Sequence, residues 1–459
     1  MPCKAQRVVV EGLTLRGFLY LSGYNAICET LHMDAAPGRR SIGNAEACGN
    51  SLAKASRNAH ADVDQFLLAA RQYLSTAGAK TCKVTCHDPS YAEYDLGFRV
   101  KRHENFLYVT EARQETRLAP GMRIVAAGMN RIDFLLKDLG ADVFWGRGSD
   151  REDWDLAMRM FDDIDVFPGD GHVMRLDLRR YPVETPDPEF TTRVQDGAVV
   201  MRIDDLSQAD KVAQVASEAE ASLAKQGAAG KLVIDLRHCA GAADPASYLA
   251  LLPLLVDTEV DAKQVVDDVE LFTVYSKNNA AALIADIERV RPALDEAGLS
   301  MADELCADIR AKADEVLARK RTTHVMAERL RMAELPEVLP SPFADERVVP
   351  DANAPRLACI LLDSDTGEGA ERLAQAVMGM ERVRLVGRAT KGWIDYANYL
   401  TSELEGIDCT FTYPISRTKA NHDGQGYERT GLPLDVHVPF TPEECTRDTI
   451  LEAALKLEA

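Results

Sequence analysis

The sequence predicts an α/β protein with a mostly parallel sheet, preceded by a helical leader and a β-rich module, and interrupted by a helical insertion. Three observations carry this. Buried-strand runs alternate with helical stripes between 197 and 256 and again between 356 and 386. A period of two occupies the stretch from Tyr94 to Val109, and two amphipathic stripes fill 257–345.

The elements follow in chain order. Residues 1–93 mix short apolar runs with Gly and Asn, then give a helical stripe, Val63, Phe66, Leu67, Ala70, Tyr73 and Leu74, at spacings of three and four. From Tyr94 the period changes: Phe98 and Val100, then Phe106 and Tyr108 with Val109 opposite, predict paired strands. Pro120-Gly121 marks a turn before Ile124-Val125, and Asn130 to Leu139 carries a helical stripe. His172 to Leu178 predicts a strand that runs into an extended connector with Pro182, Pro186 and Pro188, so a second segment is placed at 94–185 and a third at 186–459. The third opens with strand Gly197 to Ile203, helix Asp210 to Lys225, strand Lys231 to Asp235 and helix Ala246 to Val256. Within it, Leu283, Ile287, Val290 and Leu294 form one stripe of the insertion 257–345, and Leu305, Ile309, Ala313 and Val316 form the other. That hairpin is expected to sit in the α/β domain as a packing arm, as a contact for a homo-oligomer, or as a lid. Strand Arg356 to Leu362, helix Glu371 to Met380 and strand Val383 to Val386 resume the alternation.

Charge and apolar runs exclude several classes. The 459 residues carry 53 Lys and Arg against 73 Asp and Glu, a formal net charge of -20. The longest basic cluster, Arg319-Lys320-Arg321, lies between acidic helical stretches, so no stripe is available for a nucleic acid. Glu11, Arg16 and Glu29 interrupt every apolar run near the start, and Leu249 to Val256 is far short of the roughly 20 residues of a spanning helix. No export and no membrane partner are expected, which places the protein in the cytoplasm with its 10 cysteines as thiols. Cys82, Cys86 and His87 stand close together without a second ligand cluster, so neither a metal nor a cofactor is expected.

Four short motifs carry the chemistry. Leu232 to Ala242 is a strand that ends in Asp235-Leu236-Arg237 before a turn of small residues, His238-Cys239-Ala240-Gly241-Ala242. Ile360 to Glu371 is an apolar strand followed by Thr366-Gly367-Glu368-Gly369-Ala370-Glu371. Val386-Gly387-Arg388-Ala389-Thr390-Lys391-Gly392 follows, and Asp423-Gly424 and Gly431 to Val436 lie near the end. In this order and spacing the set resembles the C-terminal-processing, or tail-specific, serine peptidases, with their Asp-Leu-Arg strand, Thr-x-Ser-Ala-x-Glu nucleophile turn and Val-Gly-x-x-Thr-x-Gly loop. The resemblance implies a peptidase-type α/β domain over 186–459. It also implies a PDZ-like module over 94–185, in which Leu96, Gly97, Phe98 and Val100 form the carboxylate-binding loop and peptide-pairing strand, ahead of the turn Leu118-Ala119-Pro120-Gly121.

Carried over residue by residue, the family pattern puts Glu368 where the serine nucleophile stands and Trp393 where its lysine base stands, with Lys391 two residues earlier. Cys239 takes the place of an asparagine, and Thr366 and Trp393 complete the pocket. The backbone N–H groups of Gly369, Gly241 and Ala242 are the implied oxyanion donors. Three readings stay open. A rearranged hydrolase would use Ser364, Thr366 or Cys239 as nucleophile and His238 or Lys391 as base. A binder would keep the groove without catalysis. A third chemistry would use Glu368 as general acid or base on a small-molecule carbonyl substrate, its pKa raised by burial beside Trp393.

Overall fold

The computed structural model describes residues 14–37, 43–57, 62–138, 149–169, 171–227, 230–267, 269–294, 296–319, 332–334, 343 and 345–458. Glu11, Leu139, Lys320, Arg321 and the side chain of Val316 lie outside the described residues. The chain forms two compact units, one of residues Glu93–Asp268, Ser341–Ile394 and Tyr427–Ala459, the other of Met1–Ala92, Val269–Pro340 and Asp395–Gly426.

The α/β unit holds six strands in spatial order: β1 Phe190–Gln195, β2 Ala198–Ile203, β3 Lys231–Asp235, β4 Leu357–Leu362, β5 Val383–Gly387 and β6 Val436–His437. β1 runs antiparallel to β2, and every later neighbour is parallel. Helices α1 Ala209–Gln226, α2 Pro245–Leu255, α3 Glu368–Val377 and α4 Thr449–Lys456 cover it. Alternate residues of one strand enter different cores. Ala358, Ile360 and Leu362 join Val212, Leu251 and Leu373, while Leu357, Cys359 and Leu361 meet Ile450, Leu451 and Ala454. Because both faces are covered, these strands read as unbroken apolar runs. The α/β fold is thus as expected, with one shift: α3 begins at Glu368 and not at Glu371, so both carboxylates lie in its first turn, where the helix dipole favours negative charge.

The same unit carries an antiparallel sheet of Phe98–His103, Phe106–Ala112, Arg123–Ala127, Asp163–Phe167 and Met174–Asp177 in that order, with Asn130–Arg131 beside Arg123–Ala127. Leu107, Val109, Ile124, Ile164 and Val166 are buried beneath it. Phe98–His103 is its terminal strand, with one edge unpaired among the described strands.

In the other unit, helices Leu15–Met33, Gly43–Arg57 and Val63–Thr76 bury Tyr24, Phe66 and Tyr73 together with Phe411 and Ile415 of a second antiparallel sheet. The helices of the first ninety residues are therefore not a separate leader; their apolar faces need the strand Cys409–Thr418 from far along the chain. The insertion also differs from expectation. Its helices Lys277–Val290 and Glu296–Arg319 pair through Ile287, Leu305 and Ile309, and Leu283 reaches the core of the N-terminal helices, so the hairpin belongs to this unit and not to the α/β unit. Val290, expected in the buried stripe, is 36% exposed.

Ile360, fully buried at the centre of β4, tests the packing. Ile360→Ala is expected to cost about 2–5 kcal/mol, read as a lower urea midpoint in circular dichroism. A midpoint equal to wild type would contradict a two-sided core at this strand.

Candidate functional site

The C-terminal ends of β3 and β4 open into two turns, the usual place for a site on a parallel sheet. The first turn is held by charge. Arg237 donates to Asp235 (2.6 and 2.8 Å) and to Asp448 (2.7 and 2.8 Å), and Asp448 caps α4 by accepting from Leu451 N–H at 3.0 Å. Asp235 and Arg237 therefore fasten the strand end to the last helix. His238 follows them and is exposed.

The second turn, Asp363 to Gly369, packs on the first. Thr366 Oγ1 accepts from Asp363 N–H (3.0 Å) and donates to Leu236 O (3.1 Å), and Gly367 N–H donates to Cys239 O at 3.0 Å. A Cβ on Gly369 would lie 2.7 Å from Ala243 Cβ and 2.9 Å from Gly241 O, so only glycine lets the turns approach this closely. Glu368, between them, has φ +41°, the left-handed region that a side chain rarely adopts and that costs on the order of 1–3 kcal/mol.

The loop after β5 closes over the turn. Lys391 N–H donates to Thr366 O (2.9 Å), and Arg151 Nη2 donates to Lys391 O (2.6 Å) and Glu428 O (2.7 Å). Glu371, with no exposed surface, accepts from the backbone N–H groups of Gly392, Trp393 and Ile394. Gly392 has φ +71°, and a Cβ there would lie 2.2 Å from Tyr427 O. Lys391 Nζ stands 4.4 Å from the centroid of the Trp393 ring, a cation–π contact, and its stem covers Gly367.

Glu368, Thr366, Gly369, Lys391, Trp393, Cys239 and Gly241 are thus brought together. Several expected roles change. Gly369 N–H, implied as an oxyanion donor, donates instead to Gly241 O at 3.0 Å, because the Gly241 carbonyl points at the start of α3. Thr366 has spent its hydroxyl proton on Leu236 O and is fully buried. Cys239 is fully buried, and burial pushes its thiol up to about 12, so little thiolate forms near neutral pH. Neither group is an available nucleophile. Gly241 and Ala242 lie exposed at the rim. Ser364 is half-buried in the turn, and among the described residues no hydrogen bond joins it to His238 or Lys391.

The motif reading missed Arg151, which clasps the Lys391 loop, and Tyr248 on α2, whose hydroxyl donates to Gly369 O at 3.1 Å. Neither lies in a motif, and only the tertiary fold brings them here.

The segment around Gly97 is also occupied. Gly97 N–H donates to Asp95 Oδ1 at 2.6 Å, and Gly97 O accepts from Arg113, Gln114 and Glu115 N–H at 2.9, 3.1 and 3.2 Å. Burial alone would raise the Asp95 carboxyl, but Arg99 at 2.7 Å and the Gly97 N–H hold it below its ordinary value. The donor expected to hold a peptide carboxylate therefore holds this chain's own. Leu96 and Phe98 are buried, and Val100 is half-buried.

Among the described residues no group of three or more His, Cys, Asp or Glu is arranged to hold a metal, and no helix is long and apolar enough to cross a membrane.

No protein-family model and no curated protein matches the sequence. Solved structures do match. Mature CPAF complexed with lactacystin aligns with TM-score 0.59 and 13% identity, over 96% of this chain and 97% of that chain. Mature CPAF alone gives 0.56 and 14%, over 96% of both. The photosystem II D1 C-terminal processing protease covers 97% of both chains at 14% identity and TM-score 0.38, an overlap too loose to add to the fold assignment. At these identities the likeness shows the fold alone, the α/β architecture described above.

The electrostatics of Glu368 give a test. Burial pushes its carboxyl above the ordinary value, and the Lys391 charge pulls it back. With the folded value above the unfolded one, the contribution of this group to stability is complete below about pH 4.3 and is lost as pH rises through the folded value. Lys391→Met removes the opposing charge, so the Glu368 titration midpoint, read by carbon-13 NMR of the side-chain carboxyl, is expected to rise. An unchanged midpoint would separate the two residues.

Proposed function

We propose that this protein binds extended peptide segments on a peptidase-type scaffold and does not cleave them by serine chemistry. One observation carries the reading: the nucleophile position holds Glu368, and the adjacent Gly369 N–H is already donated to Gly241 O. Acyl transfer requires an activated hydroxyl or thiol, a base within reach and free donors aimed at the oxyanion. A carboxylate in the serine position supplies no O–H to attack a peptide carbonyl.

Binding is supported by the unpaired edge of Phe98–His103, in the segment similar to a PDZ module, where a peptide adds as a further antiparallel strand. Recognition there does not depend on a peptide C-terminus. Asp95 occupies the Gly97 N–H, and a second carboxylate would meet its charge. A carboxylate-based enzyme acting on a small carbonyl compound is the second reading, favoured by the left-handed Glu368 and its raised pKa. In that chemistry Glu368 is the acid or base, and the Gly241 carbonyl must turn away to release Gly369 N–H.

Fluorescence anisotropy with unstructured peptides tests the binding. Peptides with free and amidated C-termini should bind wild type within about twofold of each other, and Asp95→Gly should create a preference of about tenfold for the free carboxylate. Absence of saturable binding to any peptide would overturn the proposal; a strong preference for free termini in wild type would overturn the role of Asp95. Under the second reading, Glu368→Gln abolishes turnover of the carbonyl compound without changing peptide affinity.

A further inference from the structure

The unit built on the N-terminal helices pairs two cysteines across an antiparallel ladder. Strand Lys83–Cys86 runs against Cys409–Thr418, with Cys86 directly opposite Cys409. The backbone of Cys409 bonds elsewhere: its N–H donates to Ile407 O and its carbonyl accepts from Leu404 N–H, both at 2.9 Å. The next position pairs normally, His87 N–H to Asp408 O at 2.8 Å. Cys86 and Cys409 are therefore a non-hydrogen-bonded pair, the class in which facing Cα atoms lie about 4.5 Å apart and side chains on one face come closest. A disulfide needs Cα atoms about 4.4–6.8 Å apart, so the register meets that need without moving the backbone.

The two sulfurs differ in access. Cys86 is half-buried and open to a small reagent, while Cys409 is 4% exposed. Burial, and after it the charge and hydrogen bond of Cys86, push the Cys409 thiol up to about 12. His87 does not turn the pair into a metal site; its Nε2 lies 2.9 Å from Thr410 Oγ1.

We propose that Cys86 and Cys409 are a redox pair that a peroxide closes into a cross-strand disulfide. The Cys86 sulfur attacks one peroxide oxygen, the O–O bond breaks, and Cys86 becomes a sulfenic acid as the thiol proton leaves with the departing hydroxide as water. The Cys409 sulfur then attacks the Cys86 sulfur, the S–S bond forms, and hydroxide leaves with the Cys409 proton as a second water. Two thiols are oxidised by two electrons in total and one peroxide is reduced to two waters; a dithiol reductant reverses the bond by exchange. The bond closes a loop that contains most of the chain, which restricts the unfolded state and raises thermal stability.

The full chain is reduced, exposed to hydrogen peroxide with or without later dithiothreitol, and digested under non-reducing conditions for mass spectrometry. The expected result is a loss of two hydrogens per chain, one linked peptide pair that joins Cys86 to Cys409, and a thermal midpoint raised by several degrees, all reversed by dithiothreitol. Cys86→Ser should show none of these changes. Linkage of either cysteine to another position, oxidation of Cys86 to a sulfinic acid with Cys409 still a thiol, or no change in wild type would overturn the proposal. The wild-type peptide map decides without the variant, so a folding defect in Cys86→Ser leaves the test intact.

Discussion

Glu371 sits in the first turn of α3 without exposed surface, and its carboxylate collects the backbone N–H groups of Gly392, Trp393 and Ile394. The two buried donors, Gly392 and Ile394 N–H, would each cost about 1–3 kcal/mol without that acceptor. The contact ties the nucleophile turn after β4 to the loop after β5. Glu371 fixes the loop that carries Lys391 and Trp393 through its backbone N–H groups, and Arg151 holds the same loop at the Lys391 carbonyl.

With the loop fixed, the turn has little freedom left. Gly369 lies against Ala243 and Gly241 with room for no side chain, and its N–H is committed to the Gly241 carbonyl. Glu368 bears the strain of a left-handed conformation at the position where the resemblance implies a serine. Strain of this kind persists only where the surroundings over-determine it, as Glu371, Thr366 and the Gly369 approach do here. The surroundings can thus hold the shape of this turn independently of the groups it carries, since function belongs to the site and not to the fold.

The central sheet was legible because strands such as Leu357–Leu362 and Lys231–Asp235 are covered on both faces and so appear as unbroken apolar runs. The second turn was legible because close approach demands glycine at 369, where an added Cβ would lie 2.7 Å from Ala243 Cβ. What local pattern could not carry was direction and partnership. The sequence around Gly369 permits the Gly241 carbonyl to face inward or outward, and only the fold selects inward. Asp95 and Gly97 stand two residues apart, yet nothing in that spacing states that the carboxylate turns back onto the N–H. The helices of the insertion declare an apolar stripe but not its partner, and Leu283 finds that partner in the core shared by the N-terminal helices and the strand Cys409–Thr418.

The most direct test is the fate of a bound peptide. An unstructured peptide is held with the protein at saturating concentration for a day and analysed by intact-mass spectrometry across a range of pH. The account predicts that it is recovered whole, with no more cleavage than in buffer alone. Fragments that accumulate with wild type and vanish with Ser364→Ala would contradict it.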